Sequence, residues 1–263
     1  GAPEVAFYPR GCEEDLKDLE ALARQEKLQA LFVEIPGNPL LTSPNIIRLG
    51  ELTNLYDFPL MVDDTLAACT NLETLGLADI VCTSLTKYFS GAGNVIAGAL
   101  ILNRECRHAN TLRELLETEF EDLLYAEDAI VLEKNSRDFA SRIPRINDNA
   151  LELAEFLQDA PEVEHVYYPS LAENSNYTDL MRPGGGFGGL LSIVLRDAAD
   201  NTPRFFDALQ LPKGPNLGTS FTLCCPYTIL AHYNELEFVE SLGVSRYLIR
   251  VSVGLEDSRW IID

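Results

Sequence analysis

Three short apolar runs, each stopped by polar or turn-forming residues, constrain the fold of this chain more than any other feature. Leu31–Ile35 is followed by Pro-Gly-Asn-Pro, Leu60–Val62 by two aspartates, and Ile80–Thr83 by a serine. Such runs are typical of strands that are buried on both faces. Helical or loop connections separate them, as in βαβ units. We therefore predict an α/β protein built on a mostly parallel sheet.

Further elements are predicted along the rest of the chain. Additional strands are expected in short apolar stretches, namely Val95–Leu102, Val163–Tyr168, Leu190–Leu195 and Tyr247–Val253. Pro44–Tyr56 has helical spacing, and Leu112–Asp159 is expected to be helical with a break near Pro144. The acid-rich residues 118–128 are interpreted as a solvated helix face. A boundary near residue 135 divides the chain into a large domain, 1–135, and a smaller C-terminal α/β domain, 136–263.

Composition excludes several classes of function. The 263 residues carry 41 acids against 20 lysines and arginines, a net charge of −21 that argues against a nucleic-acid partner. No apolar run is long enough to predict a membrane span. The three histidines are too scattered to suggest a metal site. The six cysteines fit neither a zinc motif nor a disulfide framework, so we expect free thiols in a reducing compartment, the cytoplasm.

Functional residues are expected where the strands end, because ligands of open α/β sheets bind outside the carboxyl ends of the strands. Glu34, Asp63 and Ser84 fall at such ends, and Lys87 follows between hydroxyl residues and a glycine. A lysine that forms an imine with an aldehyde cofactor needs a carboxylate for the ring nitrogen and hydroxyls for the phosphate. This pattern predicts an enzyme that uses pyridoxal 5'-phosphate (PLP).

The chain resembles the Cys/Met-metabolism family of PLP enzymes in five elements that occur in the family's order. They are Glu34-Ile-Pro-Gly-Asn-Pro39, Val62-Asp63-Asp64-Thr65, Ser84-Leu-Thr-Lys-Tyr-Phe-Ser-Gly91, Gly186–Gly189 and Arg250-Val-Ser-Val-Gly-Leu-Glu256. The second element reads Val-Asp-Asn-Thr in the family. Asn135–Phe139 and Cys225–Tyr233 are most similar to its fungal cystathionine γ-synthase-like branch. The resemblance implies the aspartate-aminotransferase-like fold of PLP enzymes, fold type I.

The resemblance also implies roles around the cofactor. Lys87 is expected to form the imine and then to carry protons between substrate carbons, and Asp63 to pair with the pyridine nitrogen. Ser84 and Thr86 are expected to hydrogen-bond the phosphate, and Thr65 to touch the cofactor ring. The alternatives that stay open are a surface lysine after a strand for Lys87, a strand-end cap for Asp63 and a turn residue for Ser84 or Thr86.

Three further residues are expected near the substrate. Arg250 would clamp the substrate α-carboxylate with its bidentate fork, with a structural ion pair as the alternative. Asn38 would lie near the ring hydroxyl or that carboxylate, or simply form a turn. Asn216 occupies the position of a family serine near the carboxylate.

Two segments depart from the family's pattern. Gly91-Ala-Gly-Asn94 replaces Gly-His-Ser-Asp, and Phe221 replaces a glutamate associated with reaction choice. We therefore expect the contacts to the side-chain end of the substrate to differ from those in other members of the family. Family members also carry phosphate-binding residues and a stacking tyrosine upstream of the position of Gly1, some of them serving a neighbouring subunit. We expect this chain alone to hold an incomplete site and to bind PLP weakly.

The expected reaction is γ-replacement on O-acyl-L-homoserine with L-cysteine, giving L-cystathionine. Cystathionine β- or γ-lyase, an O-acylhomoserine sulfhydrylase or another γ-substitution enzyme are the alternatives. A non-catalytic subunit or scaffold is the alternative from a different class. The resemblance implies small amino-acid substrates and a homo-oligomer, a dimer or tetramer with shared active sites.

Overall fold

The first of two sheets carries the predicted strand ends. The computed structural model describes residues 4–262. Four strands lie in the order β1-β2-β3-β4, with bounds β1 (Leu31–Glu34), β2 (Leu60–Asp63), β3 (Ile80–Ser84) and β4 (Gly98–Leu102). The first three strands are parallel, and β4 is antiparallel to β3. The mostly parallel sheet is confirmed, with a fourth strand that is shorter than predicted.

The register of these strands brings the predicted polar residues to one edge. Glu34 pairs with Asp63, Asp63 pairs with Cys82, and Ser84 ends β3 two residues further on. Because the three strands run in the same direction, their carboxyl ends meet there. The edge is the one at which open α/β sheets bind their ligands.

The second sheet is antiparallel and has the order β5-β6-β8-β7. Its strands are β5 (Val163–Tyr167), β6 (Leu190–Leu195), β7 (Leu223–Pro226) and β8 (Ile249–Ser252). Every residue of the two central strands, β6 and β8, is buried. The short strand β7, with its pair of cysteines, is the one strand of this sheet that the sequence pattern did not predict.

Nine α-helices accompany the sheets within residues 4–262. They are α1 (Glu13–Gln25), α2 (Ile46–Tyr56), α3 (Ala109–Glu119), α4 (Ala126–Ser136), α5 (Phe139–Asp159), α6 (Ala198–Ala208), α7 (Tyr227–His232), α8 (Leu236–Ser241) and α9 (Ser258–Ile262). Helix α2 begins two residues later than predicted, because the side chain of Asn45 caps it by accepting a hydrogen bond from the Arg48 amide at 3.0 Å.

Two details of the helical prediction were wrong. The stretch 112–159 is interrupted after α3 and after α4, and α5 continues through Pro144. Burial of one face of α5 against the second sheet offsets the hydrogen bond that the proline cannot donate. Residues 120–125 form no helix, and residues 117–127 are all exposed, so no packed face stabilises a helix there.

Three apolar clusters form the core, and the third packs between the two sheets. It includes Leu66 and Tyr88 from the first half of the chain with Ile146 and Leu190 from the second. Tyr88 is 1% exposed and its hydroxyl accepts a hydrogen bond from the Gly189 amide at 3.2 Å. The sheets lie on either side of residue 135 in the sequence, and the division into two domains there stays a prediction.

Across residues 4–262, no helix combines the length and the apolar character needed to cross a membrane.

Candidate active site

Lys87 lies in a helical turn, Leu85–Phe89, that directly follows β3. Its backbone bends the turn, with φ −85° and ψ −119°. The side chain is partly buried, and Nζ donates a hydrogen bond to Oδ1 of Asn216 at 2.9 Å. Burial, and to a smaller extent the positive charge of Arg250, lowers the pKa of the Lys87 amine. The amine is therefore easier to deprotonate than an exposed lysine, as a nucleophile or proton carrier requires.

The turn that bears Lys87 is held from two sides. The buried guanidinium of Arg142 donates to the carbonyl oxygens of Tyr88 and Phe89, both at 2.9 Å, and to the Asp138 carboxylate at 2.8 Å. Gly218 packs directly behind the turn, since a Cβ at this position would lie 2.9 Å from the Lys87 carbonyl carbon. These contacts fix the backbone from which the lysine extends.

The two aspartates after β2 have different environments. Asp63 Oδ1 accepts a hydrogen bond from the Thr65 amide at 2.8 Å, and the side chain lines an open cleft of about 850 Å³ beside α3. Asp64 turns away and is 5% exposed. Burial raises its pKa to about 6. Lys87 is not among the residues that line the cleft.

The hydroxyl residues near Lys87 have different partners. Thr86 Oγ1 accepts from the Ala97 amide at 3.0 Å and donates to the Ala97 carbonyl at 3.3 Å. Thr65 Oγ1 accepts from the Ser84 amide at 2.8 Å, which ties the ends of β2 and β3 together. Within the described residues the Ser84 hydroxyl itself has no hydrogen-bond partner. Ser84 is therefore the predicted phosphate-binding hydroxyl that stays free for a ligand.

Arg250 projects from β8 and meets Asn38, which follows β1. Arg250 is 5% exposed, and its guanidinium donates to Asn38 Oδ1 at 3.1 Å and to the Pro215 carbonyl at 2.6 Å. Its central carbon lies 4.7 Å from the centre of the Tyr227 ring. No carboxylate lies within ion-pair distance of Arg250 in the described part of the chain, so the structural ion pair considered above is absent there. The positive charge is available to an anionic ligand.

Two hydrogen bonds join predicted site residues that are distant in the sequence. Lys87 meets Asn216, and Asn38 meets Arg250. Asn216 contacts the lysine amine, whereas the sequence placed it by the substrate carboxylate. The roles of all these residues toward a ligand stay predictions.

Sequence reasoning missed three residues that shape the site: Arg142, Gly218 and Tyr227. Arg142 could have been suspected, because it falls on the apolar face of α5 beside Ile143 and Ile146. Gly218 and Tyr227 sit in irregular or short segments without a helical or strand period. Gly218 contacts Lys87 and Tyr227 contacts Asn38, and in both pairs the residues are more than 100 positions apart.

The segments that depart from the family's pattern have definite places. Asn94 Oδ1 and the Ser90 hydroxyl both accept hydrogen bonds from Asn135 Nδ2 at 2.9 Å. Gly93 has φ +67°, and a Cβ there would lie 3.0 Å from Asn216 Nδ2, so glycine makes room for the amide beside Lys87. Phe221 is 43% exposed.

The fold and the lysine at the carboxyl edge of the parallel sheet define an aspartate-aminotransferase-like α/β protein. Residues 8–263 match the family model described as Cys/Met metabolism PLP-dependent enzyme, and the chain belongs to this family. It is 46% identical over 259 residues to a cystathionine gamma-synthase of Neurospora crassa, an alignment that covers 98% of this chain and 42% of that protein. The chain thus spans less than half of that relative's length.

Solved structures have the same fold. A cystathionine gamma-lyase from Lactobacillus plantarum, complexed with L-serine, superposes with a TM-score of 0.83 at 25% identity, covering 98% of this chain and 66% of the other. A cystathionine gamma synthase from Xanthomonas oryzae pv. oryzae, in complex with aminoacrylate and cysteine, also gives a TM-score of 0.83 at 25% identity, covering 97% and 65%. The two similar structures are thus named as a lyase and as a synthase.

Proposed function

We propose that the protein containing this chain is a PLP-dependent transferase that converts O-acyl-L-homoserine and L-cysteine to L-cystathionine and the free acid. The observation that carries this proposal is Lys87, a partly buried amine with a lowered pKa at the carboxyl edge of the sheet. The 46% identity to the Neurospora cystathionine gamma-synthase supports the choice of reaction.

The donor set fits much of PLP. Lys87 supplies an amine for the aldehyde, Asp63 a carboxylate for the ring nitrogen, and Ser84 a free hydroxyl for the phosphate. The hydroxyls of Thr65 and Thr86 are already hydrogen-bonded within the protein and would have to share those contacts with a ligand. When bound, PLP delocalises the electron pair left on a substrate carbon after proton loss.

Each residue then has a distinct task. Arg250 binds the substrate α-carboxylate through its fork, with Asn38 beside it. Lys87 removes the proton from the α carbon and transfers protons at the β carbon while the bond from the γ carbon to oxygen breaks and the acid leaves as its carboxylate. The cysteine sulfur then forms a bond to the γ carbon and loses its proton. Asn216 accepts a hydrogen bond from the amine and so directs Nζ between these positions. Asp63 keeps a proton on the ring nitrogen.

The first experiment incubates the full-length protein and PLP with O-acyl-L-homoserine, with and without L-cysteine, and identifies the products by mass. Cystathionine that forms only with cysteine supports the proposal. A 2-oxo acid and ammonia without a cysteine adduct would instead favour an eliminating lyase or a nucleophile other than cysteine.

The variant Lys87→Ala separates an enzyme from a non-catalytic subunit. We expect loss of both the visible absorption of lysine-bound PLP and turnover. A biological role that persists unchanged in this variant would favour the scaffold alternative. Lys27→Ala serves as the control, since it removes an exposed lysine that has no part in the proposed site.

We also propose a homo-oligomer in the cytoplasm. The six cysteines have no disulfide partner among the described residues, which suits a reducing compartment. Analytical ultracentrifugation of the full-length protein tests the assembly, and fractionation of the cells tests the location. A monomer, or enrichment in an oxidising compartment, would contradict the respective proposal.

A further inference from the structure

Arg250 is held entirely by neutral groups in the described chain. Two carbonyl-type oxygens, from Asn38 and Pro215, accept its hydrogen bonds, and the ring of Tyr227 covers one face of the guanidinium. An aromatic face attracts a cation without neutralising it. A carboxylate partner would fix the side chain equally well but would compete with an anionic ligand. The surroundings of Arg250 thus orient the guanidinium and preserve its charge.

Tyr227 makes a second contact that closes a circuit. Asn38 Nδ2 donates a hydrogen bond to the Tyr227 hydroxyl at 2.9 Å. A guanidinium can only donate, so the Asn38 oxygen must face Arg250 and its amide nitrogen must face Tyr227. Arg250, Asn38 and Tyr227 therefore each contact the other two. We call these three residues and their mutual contacts the circuit. Asn38 is 189 positions from Tyr227 and 212 positions from Arg250, so the circuit bridges the two sheets.

The position of Tyr227 follows from the second sheet. Residue 225 pairs with Arg250 across β7 and β8, and Tyr227 begins α7 immediately after β7. Its backbone amide donates to the Leu248 carbonyl at 3.0 Å, which fixes the start of the helix next to β8. Burial raises the pKa of the Tyr227 hydroxyl, so the phenol stays neutral beside the guanidinium.

We propose that Tyr227 is a positioning residue for the carboxylate clamp: its ring fixes the plane of the Arg250 guanidinium, and its hydroxyl locks Asn38 against it. This inference rests on the proposed function, because it takes the α-carboxylate of an amino acid as the ligand. A planar fork whose plane is set in advance loses less freedom when it binds a carboxylate in two parallel hydrogen bonds. Tyr227 provides that orientation from the start of α7, beside the second sheet, and its hydroxyl extends the contact to Asn38 of the first half of the chain.

The test compares Tyr227→Phe and Tyr227→Leu in full-length, PLP-loaded protein. Tyr227→Phe keeps the ring and loses the hydroxyl, so KM for O-acyl-L-homoserine should rise by only about 2- to 5-fold. Tyr227→Leu also loses the aromatic face, and KM should rise by about 5- to 30-fold with kcat less affected. Tyr233→Leu is the matched control, because Tyr233 is 71% exposed and lies outside the circuit.

A substrate analogue whose α-carboxylate is replaced by an uncharged carboxamide separates positioning from general structural damage. The Tyr227→Leu loss should largely disappear with the analogue, because the clamp then has no anion to bind. An equal loss with both substrates, or no change in KM for the carboxylate substrate, would overturn the inference.

If wild-type protein turns over neither O-acyl-L-homoserine nor cystathionine, the proposed function fails and the clamp is tested by binding. L-homoserine and its carboxamide are then titrated into wild-type and Tyr227→Leu protein by calorimetry. Preference for the carboxylate in wild type that is lost in the variant supports the inference. The same preference in both proteins, or none in wild type, overturns it.

Discussion

The buried carboxyl group of Asp64 should make the stability of the protein depend on pH in a predictable direction. Asp64 is 5% exposed, and its Oδ1 has no hydrogen-bond partner among the described residues. Burial is the largest cause that raises its pKa from 3.8 to about 6, and the nearby charge of Asp63 adds to it. The folded state therefore holds this proton more tightly than the unfolded chain does.

The sign of the effect follows from that comparison. The favourable contribution of the protonated Asp64 is fully present below pH 3.8, decreases between pH 3.8 and 6, and is lost as pH rises through the folded pKa. Compared with a neutral side chain at this position, Asp64 therefore lowers the free energy of unfolding by about 3 kcal/mol at pH 7 and by less than about 1 kcal/mol at pH 4. Asp64→Asn removes the titration and introduces the residue that the family's Val-Asp-Asn-Thr element has at this position.

The assay is thermal denaturation of wild type and Asp64→Asn, followed by circular dichroism between pH 4 and 8. The variant should melt at a higher temperature than wild type at pH 7, by roughly 6–12 °C at about 2–4 °C per kcal/mol. This difference should shrink toward pH 4. Asp207→Asn removes the same charge from an exposed position and should show no such trend. A difference between wild type and Asp64→Asn that is constant across this pH range would refute the reasoning.

Two further substitutions test the surroundings of Lys87. Gly91 has φ +70°, and Gly91→Ala places a Cβ 2.2 Å from Nη1 of Arg142. It should lower the melting temperature much more than the control Gly184→Ala, because Gly184 has a similar φ of +78° but no atom within 4 Å of the added Cβ. Equal losses in the two variants would show that the contact with Arg142 is unimportant. Asn216→Ala removes a hydrogen-bond acceptor that favours the charged form of the Lys87 amine. When the reaction of Lys87 with PLP is followed by visible absorbance as a function of pH, the midpoint pH should therefore be lower in the variant than in wild type. An unchanged or higher midpoint pH would contradict this.

Much of the first sheet could be predicted from the chain because its signals are local. Each strand is a continuous apolar run, and a polar residue marks its end, so Asp63 and Ser84 could be assigned to one edge before any contact was known. Lys87 could be located in the same way, because it comes shortly after the apolar run that forms β3. Helix ends were less predictable: Pro144 lies inside α5, because packing of the distant second sheet outweighs a local preference.

The site itself shows a similar division. The sequence pattern identified Arg250 as a charged residue in an apolar strand that would need a partner, and Asn38 as a residue beside a strand end. It could not reveal that the two meet, or that Tyr227 contacts both, because Asn38 lies 189 positions from Tyr227 and 212 from Arg250. It also could not show that the hydroxyl of Thr86 is hydrogen-bonded to Ala97 while that of Ser84 has no partner within residues 4–262.

The sequence by itself was thus sufficient to predict the α/β class, the family and the position of Lys87 directly after a strand of the parallel sheet. Those properties depend on periodicity and on motifs that are contiguous in sequence. Tertiary structure alone decided which amide holds the Lys87 amine, which aspartate is buried and which asparagine meets Arg250. Burial and hydrogen bonding depend on the distance between atoms of remote segments, and only the packing of the two sheets sets that distance.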